Sequence, residues 1–149
     1  MKKRVGLTAG FFLSACLLAG CQQGFEPVHV SVETEAGDVV GIVSTEKLDG
    51  TLKQTDSGFT VDTSEDAVTG KILTGIEADV LNGENYDSEG YTSISVQDQA
   101  GFAFTMDTEP VAYVHVFRIP DSDLYVQLTS DVSDSVLYAV ESGLTIQEE

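Results

Sequence analysis

Basic residues are scarce in this chain: seven Lys and Arg stand against 25 Asp and Glu in 149 residues. Phosphate binding needs clustered cations, so nucleic acid is excluded as a partner. An electrostatic grip on anionic lipid is excluded on the same ground. Histidine is limited to His29 and His115, and cysteine to Cys16 and Cys21. The motifs of several enzyme classes are missing. There is no Gly-x-Ser-x-Gly elbow, no His-Glu-x-x-His pair and no glycine loop shaped to cradle phosphate. The main apolar run, Val5 to Leu18, is too short for a stable membrane span, which needs about 20 residues. Internal repeats and low-complexity segments are also lacking.

What is present begins with an address. Lys2, Lys3 and Arg4 precede the apolar run, which ends in Leu18-Ala19-Gly20-Cys21. Positive start, short apolar core and small residues fit a secretory leader. Those last four residues resemble, at every position, the lipobox of bacterial prolipoproteins. The resemblance covers residues 1–21 alone. It implies cleavage before Cys21, diacylglycerol on the Cys21 thiol and membrane attachment outside the cytoplasm. Two or more acyl chains anchor stably where one does not, since each buried CH₂ contributes about 0.8 kcal/mol. Gln22 after the cysteine implies the outer membrane in a Gram-negative cell. In a Gram-positive cell the same anchor implies the outer face of the plasma membrane.

That leader simplifies the rest. Residues 1–20 are expected to be removed, 21–27 to form a lipidated tether, and 28–149 to fold as one domain. Loss of Lys2, Lys3 and Arg4 leaves four basic residues against 25 acids, a charge of −21. Cys16 leaves with the leader and Cys21 carries lipid. The domain then has no thiol for a disulfide, a cysteine metal site or a cysteine nucleophile. Six extended tether residues reach about 20 Å at most, so the acidic domain stays near the membrane yet stands off it.

Strand signals dominate the domain. Val28, Val30 and Val32 alternate with polar residues, and Val39–Val43 is β-branched. Asp49-Gly50 and Asp56-Ser57-Gly58 are turns, leading into Thr51–Gln54 and Phe59–Val61. Residues 63–83 carry two signals at once. Thr63 or Ser64 could cap a helix bearing Val68, Ile72, Ile76 and Val80, with Asn82-Gly83 as its stop. Ile72, Thr74, Ile76, Ala78 and Val80 also alternate as a strand, and Gly70 and Gly75 disfavour the helix. The expectation is a strand over 71–81 and a polar loop over 82–90.

Four strands then follow as an antiparallel meander: one at 93–96, one at 102–106 after a turn ending at Gly101, one at 111–119 and one at 124–128. Val111–Ile119 is apolar on both faces, as a central strand should be. Six of the ten aromatics after the leader lie in or just beyond this meander, so the main core is placed there. Next, Val132, Val136, Leu137 and Val140 recur at helical spacing. Asp131 or Ser133 is the expected cap and Gly143 the stop. Leu144–Ile146 returns to strand. The predicted class is α+β, a mostly antiparallel sheet carrying one C-terminal helix, with an all-β sandwich as the alternative.

The candidate chemistry is sparse. His115 shares its strand face with Tyr113 and Phe117, which points to a hydrogen-bonded core or edge histidine. The loop Asn82–Gly90 offers oxygen donors at Asn85, Asp87 and Glu89. Val96, however, occupies the twelfth position, where an EF-hand needs a bidentate Glu. An irregular Ca²⁺ site there, or at Asp121 and Asp123, is the alternative reading. Tyr86 and Tyr91 beside that loop are either a contact patch or buried. The acidity has three readings: solubility in high salt, attraction of a basic partner, or diffuse cation binding. The leading expectation is a lipid-anchored envelope protein that binds or scaffolds an envelope or wall partner without doing chemistry. A Ca²⁺-dependent module is second. An enzyme is third, and a cleft gathering His29 or His115 with two carboxylates would revive it.

Overall fold

Alternating side chains and short polar turns build most of the molecule. The computed structural model describes residues 27–45, 50–56, 58–63 and 67–149. The leader, Cys21 and the tether up to Glu26 lie outside the described residues. So do Asp49, Ser57 and Ser64, a candidate cap in the helical alternative for 63–83.

The described strands are β1 (Val28–Thr34), β2 (Gly37–Thr45), β3 (Gly50–Gln54), β4 (Phe59–Thr63), β5 (Ala67–Leu73), β6 (Thr92–Val96), β7 (Gln99–Met106), β8 (Ala112–Arg118), β9 (Tyr125–Ser130) and β10 (Leu144–Glu148). Two helices interrupt them: α1 (Gly75–Asn85) and α2 (Asp134–Gly143). All pairings are antiparallel. A seven-stranded sheet runs β3-β4-β5-β9-β8-β7-β6, and a three-stranded sheet runs β1-β2-β10. The large sheet does not close into a barrel: its edge strands β3 and β6 are not paired to each other.

The small sheet and α2 cover one face of the large sheet, and α1 covers the other. The larger core cluster joins Val30 and Val43 of the small sheet to Val61, Phe117 and Leu128 of the large one and Leu137 of α2. The second cluster lies on the opposite face and contains Phe102, Phe104, Val114, Val116 and Ala78 of α1. Side chains alternate across a strand, so β8 feeds both layers. Tyr113 and Phe117 face the first cluster, Val114 and Val116 the second. This is why Val111–Ile119 reads as apolar on both sides. The meander β6-β7-β8-β9 forms as expected. The core is wider than the meander, because the larger cluster draws on both sheets and α2.

Three expectations need correction. The strand expected over 71–81 ends at Leu73, and a helix starts at Gly75. The cause is a capping box. The Thr74 hydroxyl accepts from the Glu77 amide at 3.2 Å, and a Glu77 carboxylate oxygen accepts from the Thr74 amide at 2.8 Å. Two orphan donors are satisfied at once. Gly75 sits in the first turn, where its flexibility costs little, and the helix runs past Asn82-Gly83 to Asn85. The described residues therefore hold two helices, where one was expected.

The turn expected to end at Gly101 lies earlier. Gln97 and Asp98 form a two-residue hairpin with φ of 52° and 67°, and Val96 pairs with Gln99. Positive φ at both positions matches the twist of the flanking strands. Gln-Asp is an uncommon choice there, so the sequence did not announce it. In α2 the spacing holds for Val136, Leu137 and Val140, but Val132 precedes the helix and is exposed. Glu141 takes the remaining buried position on that face. Ser133 is the N-cap residue, without a side-chain cap bond, and Gly143 is the last helical residue. The carbonyls at this end are met instead by Gln97, whose amide donates to the oxygens of Glu141 and Leu144 at 3.1 and 2.7 Å.

Candidate functional site

Two places combine polar chemistry with defined geometry. The first is His115, on the β8 face toward α2. Asp134, Tyr138 and Glu141 lie at i, i+4 and i+7 of α2, one helical stripe. That stripe meets β8 directly. His115 Nδ1 is 2.8 Å from Glu141 Oε2, and His115 Nε2 is 2.8 Å from Asp134 Oδ1. Tyr138 approaches the ring edge-on, with centroids 4.6 Å apart. The histidine is 0% exposed.

A neutral imidazole carries one N–H and would turn a lone pair toward one carboxylate. The imidazolium donates to both. Burial by itself disfavours the charged ring. Hydrogen bonds and charge from Glu141, then Asp134, outweigh burial and hold the pKa above its ordinary value. Desolvation, then the charges of Asp134 and Glu141, push the Tyr138 phenol up as well. In this arrangement the cluster holds a proton inside the fold and clips α2 to β8. Histidine and two carboxylates are thus gathered, as an acid–base site would require. Both ring nitrogens are engaged and the ring and Glu141 are buried, while Asp134 and Tyr138 form the half-exposed outer side of the cluster. Of the two expected placements, core or edge, His115 takes the core, and the sequence missed its two partners. The i, i+7 spacing of Asp134 and Glu141 was the available signal. His29 is exposed on β1, and its side chain takes no part in the cluster.

The second place is an open groove of about 790 Å³. Four segments distant in sequence form it: the β1–β2 turn, the start of α1, the β8–β9 turn and the end of β10. Its carboxylates are Glu33, Glu35, Glu77, Asp123 and Glu148, and no Lys, Arg or His lines it. Several of these acids are already positioned. Glu77 belongs to the capping box. Glu148 accepts from the Ser122 hydroxyl at 2.6 Å, and Asp123 lies 3.4 Å from the Arg118 guanidinium. Among the described residues Glu33 and Glu35 meet no cation, and both are exposed. Apolar side chains sit between the acids: Val39, Leu124 and Ile76.

Ile76 is 63% exposed and Val80, one helical turn on, is 55% exposed. On the far side of this apolar ridge lies a smaller groove of about 290 Å³, lined by Leu73, Leu81, Glu84 and Lys71 among others. Helix α1 buries only Ala78 fully, and Leu81 partly, against the sheet. Its outer side therefore presents two large apolar side chains to solvent.

The residues flagged as possible cation ligands are placed as follows. The Asn85 side-chain amide donates to the Leu81 carbonyl at 2.9 Å, at the end of α1. Asp87 and Glu89 are exposed in the turns that follow. Asp121 and Asp123 flank Ser122 in the β8–β9 turn. Among the described residues, no three His, Asp or Glu side chains are arranged to hold a metal ion. The two tyrosines differ. Tyr86 is exposed, whereas Tyr91 is half-buried, donates to Asn82 Oδ1 at 2.6 Å and stacks on Phe102. Tyr91 is therefore the rim of the second core, with Tyr86 edge-on against it at 5.3 Å.

Comparison with known protein families, characterised proteins and solved structures finds no match to this chain.

Proposed function

We propose that the chain is a lipid-anchored, extracytoplasmic envelope protein that works by binding, with the groove at the start of α1 as its contact surface. The observation that carries the binding part is the exposed apolar ridge Ile76–Val80 beside that groove. Large apolar side chains grouped on a surface mark interaction sites. The groove's volume lies within the range of about 300–1,000 Å³ usual for ligand sites. Its two lining hydroxyls are engaged within the fold. Thr34 Oγ1 donates to the Gly37 carbonyl and accepts from the Ala36 amide, and Thr74 Oγ1 caps α1. The anchor rests on Leu18-Ala19-Gly20-Cys21 and the charged, apolar segment before it.

Two measurements test the two halves. Labelled fatty acid fed to expressing cells should be incorporated into the protein, and Cys21→Ser should abolish incorporation and release the protein from the membrane fraction. Unchanged labelling in Cys21→Ser would remove the anchor. A photo-crosslinking residue at position 76 should give discrete adducts in cells, while the same residue at position 98 should not. No adduct at 76 would remove the groove as a contact surface.

A further inference from the structure

We infer that the occupant of this groove is a basic, apolar-containing segment of another polypeptide, its Lys or Arg side chains meeting Glu33 and Glu35 and its apolar side chains covering Ile76 and Val80. This rests on the binding reading above and adds the chemistry of the partner.

Charge decides the sign of the occupant. The groove holds five carboxylates and no basic side chain among its lining residues. The free amides at the start of α1 would suit an anion on their own. The carboxylates around them repel one. A second copy of this chain is disfavoured for the same reason, since 25 acids face seven bases even before any leader is lost. A cation is attracted both locally and by the field of the whole molecule.

The apolar ridge decides that the occupant is not a bare cation. Ile76 and Val80 are four residues apart, about 6 Å along the helix axis. Val80 borders the second groove and not the first. A ligand covering both must leave the acidic cavity and continue over the ridge with apolar groups. A small diffusible cation has nothing to place there. A polypeptide segment mixing Lys or Arg with aliphatic residues meets both demands.

The test uses the full chain in a nonionic detergent, with detergent-only blanks. Fluorescence anisotropy follows dye-labelled short peptides: Lys/Leu, Lys/Ser and Ser/Leu. Spermine serves as a competitor. Lys/Leu should bind most tightly, and salt should weaken it. Glu33→Lys with Glu35→Lys should weaken it roughly tenfold, since two attractive pairs become repulsive. Ile76→Ser should weaken it roughly fivefold through lost apolar burial. Reversing the distant acids Asp87 and Glu89 should change it by less than about twofold, because salt screens that separation. All three sites are exposed, and circular dichroism would verify each fold.

Equal binding of Lys/Ser, full displacement by spermine, or equal effects of near and distant reversals would overturn the inference in favour of diffuse attraction. Ser/Leu bound at Ile76 more tightly than Lys/Leu would overturn the basic partner but leave the groove as a binding surface. No binding of any peptide would count against both.

Discussion

His115 shows what one buried side chain can carry. Its imidazolium lies between Glu141 and Asp134, with the Glu141 side chain itself only 6% exposed. Its pKa is raised in the fold, while the unfolded value is about 6.5. Below the unfolded value both states hold the proton and the clip contributes in full. As pH rises from there through the folded value, the unfolded chain binds fewer protons and the contribution is lost. Melting temperature should therefore fall as pH rises above about 6.5, through the raised folded-state value. Glu141→Gln should flatten that slope, because a neutral amide no longer favours the charged ring. A slope unchanged in Glu141→Gln would show that His115 is not its source. Removing the ring instead, as in His115→Leu, leaves a buried carboxylate unpaired and should cost about 3–5 kcal/mol in urea unfolding.

Short local devices set the elements. Thr74-Gly75-Ile76-Glu77 would read as an ordinary strand continuation without its cap, yet the reciprocal bonds turn the chain into α1 directly after Leu73. Thr74→Ala should cost about 0.5–2 kcal/mol and speed amide exchange in the first turn of α1, while β5 exchange stays unchanged. Loss of protection in β5 as well would mean that strand and helix form as one unit.

Gly70 of β5 pairs with Phe59 of β4, and a Cβ there would collide with the Cζ end of the Phe59 ring. Phe59 is fully buried and cannot swing aside. Gly70→Ala should therefore destabilise by about 1–3 kcal/mol through overpacking, although alanine is ordinarily the better residue inside a strand. A neutral Gly70→Ala in chemical denaturation would show that the ring packs elsewhere.

Across the whole molecule the excess of acids must act against compactness. At low ionic strength NaCl should raise the melting temperature by screening self-repulsion. CaCl₂ at matched ionic strength should do no more under the binding reading. An additional rise at submillimolar Ca²⁺ would restore the calcium module, because a ligand specific to the folded state stabilises by RT ln(1 + [L]/Kd). Charge reversal at Asp87 and Glu89 would then show whether the loop after α1 holds the ion.

The sequence alone determined what depends on neighbours along the chain. Period-2 alternation located β1 and β6, a β-branched run located β2, the doubly apolar run marked β8 as central, and 3.6-residue spacing marked α2. The capping box of α1 was also legible in Thr74 and Glu77, but an alternating pattern over the same residues masked it. Tertiary structure decided what depends on distant segments. His115 meets Glu141 across 26 residues. The groove is assembled from residues 33–36, 39, 74–77, 123–124 and 148. Acidity in the sequence was uniform and carried no address. Folding gave it one, because antiparallel turns and a helix start brought five of many carboxylates to the same opening, beside the two apolar side chains that α1 leaves uncovered.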